Sequence, residues 1–187
     1  MSEKPQKTFT PPFRASYAFV FRPREAEEGK KPKYGVCMLF PKKDPKVKEF
    51  LIKLKAQCKK IADEKYPQGL PKNLRWWPLR DGDTEREGDE FKGMYFINAS
   101  SYRRPGVVDK DTNPILDEED FYSGCWARAT VNPFFYDNSG NKGVAIGLNN
   151  LQKLRDDEPL SGGSSAEEDF GGQSVSGDSD DDDEDLL

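Results

Sequence analysis

Rings and guanidinium groups stand together in three places along this chain. Arg75-Trp76-Trp77 and Tyr102-Arg103-Arg104 each join aromatic side chains to arginine. Between Phe121 and Tyr136, one face of an alternating segment carries Tyr122, Trp126, Arg128, Phe134 and Tyr136. A merely solvated strand face is built from Lys, Glu, Ser and Thr, so a face of aromatics and arginine points to another use. Flat rings stack on unpaired bases, at roughly 1–3 kcal/mol per base. Every base has a π-face, so such contacts tolerate any sequence. Arginine meets phosphate as a planar fork. Together these residues have the chemistry of a single-stranded nucleic-acid platform. The plain alternative for each ring is burial in the core, where aromatics are often found.

Catalysis has fewer anchors. The chain contains no histidine, which removes Ser-His and Cys-His nucleophile systems and most zinc hydrolases. There is no GxxxxGK(S/T) phosphate loop and no GxGxxG after a strand. Cys37, Cys58 and Cys125 are odd in number, far apart and outside any CxxC motif. That spacing disfavours a disulfide framework or a zinc site and fits a reducing compartment. The loop from Asp109 to Asn113, with Asp120, echoes a calcium loop, but Pro114 stands where that loop needs glycine. The carboxylates Asp81, Asp83, Glu85 and Asp89 lie close in sequence and keep a metal-dependent nuclease as the enzymatic alternative. A solvated turn is their simpler reading. No catalytic residue, metal ligand or cofactor is expected.

Charge is segregated along the chain. The formal net charge is −5, with 34 acids and 29 bases. From Asp156 onward stand 13 of the acids and no base, so residues 1–155 hold 21 acids against all 29 bases. A body of +8 is therefore joined to a tail of −13. A basic body suits a polyanionic partner. The tail is rich in Ser, Gly, Asp and Glu and cannot bury enough surface to offset its ordering entropy, so disorder is expected over 156–187. Its end, Asp181, Asp182, Asp183, Glu184 and Asp185 followed by Leu186 and Leu187, is an anionic run with an apolar tip. Such a run can dock in a basic pocket of a partner protein, or fold back on its own basic groove and compete with nucleic acid. Simple solubilisation is the alternative. No apolar run approaches the ~18 residues of a membrane span, so no membrane partner is expected. Residues 1–12 lack an apolar signal core and read as a mobile arm.

The elements that must position these residues follow from periodicity. Arg14 to Arg22 alternates, with Ala15, Tyr17, Phe19 and Phe21 on one face, and reads as a half-buried strand. A charged loop follows, then a strand over Lys33 to Phe40 that is apolar on both faces. Asp44-Pro45 opens a helix over about 44–65, Asp44 as cap and Pro45 in the first turn. Val47, Phe50, Leu51, Leu54, Cys58 and Ile61 form its buried stripe. Its outer face carries Lys46, Lys48, Lys53, Lys55, Lys59 and Lys60, solvated groups that add long-range attraction for a polyanion. A connection over 70–91, with a turn at Asp81-Gly82-Asp83, leads to a strand from Lys92 to about Tyr102. Val107-Val108 forms a short pairing segment. A strand is expected over Phe121–Tyr136, a turn at Asp137-Asn138-Ser139-Gly140, and a last strand over Lys142–Leu148. Asn149 to Arg155 reads as a short helical turn or cap. Residues 13–155 then form one mainly β domain. About five strands and one inserted helix are the inventory of an OB-like Greek-key five-stranded barrel. Periodicity alone supports a small α+β or all-β barrel with one helix.

The run Arg104-Pro105-Gly106-Val107-Val108-Asp109, then Asn113-Pro114-Ile115, then Phe121-Tyr122-Ser123-Gly124-Cys125, resembles a bacteriophage single-stranded-DNA-binding protein family. The stretch from Gly140 to Lys153, Gly-Asn-Lys-Gly-Val-Ala-Ile-Gly-Leu-Asn-Asn-Leu-Gln-Lys, matches the same family closely. The resemblance covers about residues 10–170 and is most specific in the C-terminal half. It implies an OB fold and a non-catalytic role on single-stranded DNA in phage replication, recombination or repair, in the cytoplasm of the infected bacterial host. Gly106 and Gly143 are expected to serve the fold. The tail is similar to those of other single-strand binders, which end in acids and an apolar tip. The bacterial form usually ends Pro-Phe, whereas this chain ends Leu186-Leu187. A phage-encoded replication or recombination protein is therefore the expected tail partner, and a homo-oligomer is compatible with the pattern. The rival readings are an RNA- or duplex-tolerant relative of the barrel, the nuclease, and an interaction module whose acidic tail mimics DNA.

Overall fold

The computed structural model describes residues 7–160. Strands β1 (Thr8–Phe9), β2 (Phe13–Arg24) and β3 (Lys33–Pro41) precede helix α1 (Pro45–Lys65). Then come β4 (Arg80–Asp81), the one-turn helix α2 (Gly82–Glu85), β5 (Met94–Ser101), β6 (Gly106–Val108), β7 (Trp126–Asn138) and β8 (Asn141–Arg155). Short 3-10 turns cover Asp89–Phe91 and Glu118–Asp120.

Five strands close on themselves. β2 pairs β3, β3 pairs β5, β5 pairs β8 in parallel, β8 pairs β7, and β7 returns to β2. Three consecutive ring strands form a meander and the last two return to close it, the OB-like Greek-key order. Two seams of the ring are short. The β2–β7 seam rests on Phe13↔Ala127 and Arg14↔Trp126, and the β5–β8 seam on Ala99↔Ile146 and Ser100↔Gly147. β1 and β6 add edges outside the ring on β7 and β8.

The helix begins where Asp44 and Pro45 place it. Asp44 accepts a hydrogen bond from the Lys46 amide at 2.9 Å, a cap that contributes ~0.5–2 kcal/mol. Val47, Phe50, Leu51, Leu54, Cys58 and Ala62 are buried, with Ile61 packed at the margin. Phe40 joins this helix to the ring: its ring centroid lies 5.4 Å from that of Phe50 and 5.7 Å from that of Phe13. Such pairs contribute ~0.5–1.5 kcal/mol beyond area burial. Among the described residues no helix is long and apolar enough to cross a membrane.

Bulges explain where simple alternation misleads. In β2 the register moves from Ser16↔Cys37 to Phe19↔Gly35, one residue too many, and Tyr17 takes a φ of 46°. An extra residue inverts the faces beyond it. Val20 thus enters the core, and Tyr17, expected on the same face as Ala15, turns outward. In the β7–β8 pair the register moves from Thr130↔Asn150 to Val131↔Leu148, leaving Asn149 extra. Leu148 and Leu151 are therefore both buried although three apart. The segment Asn149–Arg155, expected as a short helical turn or cap, instead continues β8 to Arg155. β7 starts at Trp126 rather than Phe121, because Phe121–Cys125 forms a turn after the 3-10 segment.

Both domain limits shift as well. β1 pairs with β7 through Thr8↔Val131 and Phe9↔Thr130, and Thr8 and Thr10 are buried, so the expected arm over 1–12 packs from Thr8 onward. Residues 156–160, expected to begin a disordered tail, are bonded to the ring as described below. The acidic run assigned to partner binding, Asp181 to Leu187, lies outside the described residues.

Candidate nucleic-acid interface

A concavity of about 1130 Å³ lies on the outer face of β3 and β5. Its floor is Gly35, Cys37, Asn98 and Ser100. One wall is the β2–β3 hairpin with Arg24, Lys30, Lys31 and Lys33; the other is the β7–β8 turn, Asp137 to Asn141. Tyr17, Phe19, Tyr34 and Tyr102 border it, with Phe91 and Arg86 at one end. Tyr17 is 58% exposed and Tyr102 53% exposed, high for such large rings. Lys33 Nζ lies 4.9 Å and Lys31 Nζ 5.2 Å from the Tyr102 ring centroid, inside cation–π range. At the far end, the Arg86 guanidinium lies 5.8 Å from the Phe91 ring centroid and 5.5 Å from that of Phe96. The acids Glu25, Glu27 and Asp137 also line the groove, Glu27 held by Lys30 at 2.8 Å. Rings beside ammonium and guanidinium groups over an open floor can stack bases while holding phosphates.

Local sequence builds this site. The Tyr17 bulge turns Tyr17 and Phe19 away from the core, and the charged loop between β2 and β3 supplies lysines. The turn Asp137-Asn138-Ser139-Gly140 forms as expected. Ser139 and Gly140 are left-handed at φ 53° and 92°, and the Gly140 amide donates to the Asp137 carboxylate.

Of the residues singled out in the sequence, Tyr102 alone lines this groove. Arg103 is exposed beside it, its amide bonded to Ser101 Oγ. Arg104 lies on the other flank, 5.5 Å over the Phe21 ring. Trp76 and Trp77 pack against the core, Trp76 with Lys55 and Lys59 about 6 Å above its ring. The Arg75 carbonyl accepts from the Val144 amide at 2.9 Å. A Cβ on Gly143 would meet that carbonyl at 2.6 Å and the Tyr136 hydroxyl at 2.8 Å, so Gly143 serves this close approach. Phe134 is 38% exposed on β7. Arg128 Nε donates to Gln152 Oε1 at 2.6 Å.

Tyr122 and Trp126 are held by the chain's own acids. Trp126 Nε1 donates to Asp157 Oδ2 at 2.8 Å, and the Tyr122 hydroxyl donates to Asp156 Oδ1 at 2.8 Å. The Arg155 guanidinium lies 4.5 Å from the Trp126 ring centroid, and Lys153 Nζ lies 2.7 Å from Asp156. Arg14 donates to the Glu158 carbonyl at 2.7 Å, and the Leu160 amide to the Ser123 carbonyl at 2.8 Å. The bond from Lys153, then that from Tyr122, lowers the pKa of Asp156; the indole bond leads the lowering at Asp157. Burial, then the Asp156 bond, raises that of Tyr122.

The sequence reading missed Tyr17, Phe19, Tyr34, Arg24, Lys30, Lys31, Lys33 and Arg86. Available signals were the cations framing the β2–β3 loop and the two tyrosines flanking it. The clustered carboxylates are bound otherwise: Lys42 Nζ bridges Asp81 at 2.6 Å and Asp83 at 2.7 Å, and Asp89 pairs with Lys92. Asp109 accepts from the Asp111 and Asn113 amides, a local turn. Among the described residues no three His, Cys, Asp or Glu side chains converge as metal ligands. Cys37, Cys58 and Cys125 are buried, and burial pushes the Cys37 and Cys58 thiols up to about 12.

Comparison with known proteins adds an independent line. The family model described as "Enterobacter phage Enc34, ssDNA-binding protein" matches residues 6–187. Protein p50 of Acyrthosiphon pisum secondary endosymbiont phage 1 is 32% identical over 159 residues, 80% of this chain and 84% of that protein. The single-stranded DNA-binding protein of bacteriophage Enc34, solved in complex with ssDNA, superposes with a TM-score of 0.72 at 24% identity, covering 81% of this chain and 88% of that one. Bacteriophage T7 gp2.5, also a single-stranded DNA-binding protein, gives 0.60 at 14% identity, covering 95% and 100%. At these identities the two structures speak for the fold.

Proposed function

The chain belongs to the Enc34 phage ssDNA-binding protein family, and we propose that it coats single-stranded DNA without sequence preference through the groove on β3 and β5. One observation carries this reading: the exposed rings of Tyr17 and Tyr102 border an open groove whose hairpin wall bears Arg24, Lys30, Lys31 and Lys33. Bases stack on the rings while the cations follow the backbone and release its counterions. Family members are binding proteins, and the chain acts without catalysis. Its setting is phage DNA replication, recombination and repair inside the infected host cell. The basic-and-aromatic groove supports this, and the acidic residues 161–187 supply a segment for recruiting replication or recombination proteins.

The test is a titration of poly-dT, poly-U and duplex at two salt concentrations against the intact chain and one ending at Leu160. Binding of poly-dT ahead of duplex, weakening with salt, is expected, with equal or stronger affinity and lost partner capture in the shortened chain. Preference for duplex, or binding indifferent to salt, would reject the groove reading.

A further inference from the structure

We propose that a second concavity, on the opposite flank of the β2–β3 hairpin, takes the continuation of the same single strand. The inference rests on the groove reading above and lengthens its path. This concavity, of about 670 Å³, lies between the outer half of β2 and the segment at Glu118–Tyr122. It meets the main groove at Phe19, Arg24 and Glu25, which line both. The hairpin arm thus stands between two hollows with a ring and a guanidinium at the crossing point, Arg24 lying 6.0 Å over Phe19.

Beyond the crossing the same chemistry recurs. Phe21, one edge packed against the core, lines the second hollow, with the Arg104 guanidinium 5.5 Å from its centroid. Arg22 pairs with Glu118 at 2.8 Å, both side chains well exposed. An exposed pair of this kind is worth only ~0–1 kcal/mol. A phosphate, which accepts the same fork with a fuller charge, can displace the carboxylate. The ligand is therefore the phosphodiester backbone of an unpaired strand leaving the main groove, with a base over Phe21. The Tyr102-Arg103-Arg104 run connects the two sides: Tyr102 borders the main groove, and Arg104 lies over Phe21, a ring that lines the second hollow.

The experiment is fluorescence anisotropy on the full chain with oligo-dT from about 4 to about 16 nucleotides, the span of known OB site sizes. Arg104→Ala and Arg22→Ala should weaken binding of the longest oligomers about 3–10-fold and leave the shortest within about twofold. The Arg104→Ala salt slope on long oligomers should shrink by about 0.7, one phosphate contact on a single strand. Glu118→Gln, which frees Arg22, should strengthen long-oligomer binding about 2–3-fold, a gain that misfolding cannot produce. Equal losses at every length, or no change at any length in all three variants, would overturn the extension. A wild-type chain that binds neither length would instead overturn the groove reading itself.

Discussion

The outer face of β3 and β5 and the outer face of β7 use the same materials to opposite ends. Each presents aromatic rings beside basic groups. At the start of β7, Trp126 and, from the turn before it, Tyr122 donate to Asp157 and Asp156, while Arg155 and Lys153 cover their rings. The chain has brought its own anions to that platform. In the groove, Lys31 and Lys33 stand over a half-exposed Tyr102 beside an open floor. Both faces hold rings beside cations, although the sequence pattern singled out only Tyr102 of the groove. What separates them is whether nearby carboxylates saturate the donors.

The widest gap between the two faces should come from reversing charge. Lys31→Glu with Lys33→Glu should lower poly-dT affinity on the order of 10–100-fold at low salt, measured by anisotropy with the fold checked by circular dichroism. Tyr102→Ala should follow with a loss of roughly 1–3 kcal/mol in binding and little change in melting temperature. Trp126→Ala should do the reverse, lowering stability by about 1–3 kcal/mol through its lost bond and packing while affinity holds within about twofold. A Trp126→Ala protein that melts normally yet binds as poorly as Tyr102→Ala would erase the distinction.

Acid should open the β7 face first. Hydrogen bonds from Lys153, Tyr122 and Trp126 favour ionised Asp156 and Asp157, so their folded pKa values lie below the unfolded ones. That share of stability is complete above the ordinary carboxylate value of ~3.9 and is lost as pH falls through the folded values. Hydrogen exchange at residues 156–160 should therefore quicken below about pH 4, ahead of the ring strands. The smallest effect is a flat one. With no histidine in the chain, DNA affinity should be level across about pH 6–8, and a step there would point to an unsuspected titrating group.

Much of the scaffold was legible. Asp44-Pro45 marked the helix start, and Val47, Phe50, Leu51, Leu54 and Cys58 gave its buried stripe. The paired strands, the Asp137–Gly140 turn and the OB-like order were also within reach. The site was read less well, and the reason is geometric. Alternation assumes an unbroken two-residue repeat, and Tyr17 breaks it. Read straight, Tyr17 and Phe19 belong with Ala15 in the core; past the bulge they face the groove. The last strand reads as ending at Leu148, although β8 runs on to Arg155 past the extra residue Asn149. Trp126 lay on the face where alternation put it, but its partner, Asp157, belonged to a segment read as tail.

The parallel seam between β5 and β8 bears on how the molecule is made. Ala99 and Ser100 meet Ile146 and Gly147, so the groove floor gains its outer buttress only once almost the whole ring has left the ribosome. Until then β4 covers β5 only at Tyr95 and Phe96, and the edge at Ala99 and Ser100 awaits partners far along the sequence, a topology that slows folding. A nascent chain halted in the β7–β8 turn would carry the cations and rings of the groove but no closed floor beneath them. Closure of that floor thus waits on β8, late in synthesis.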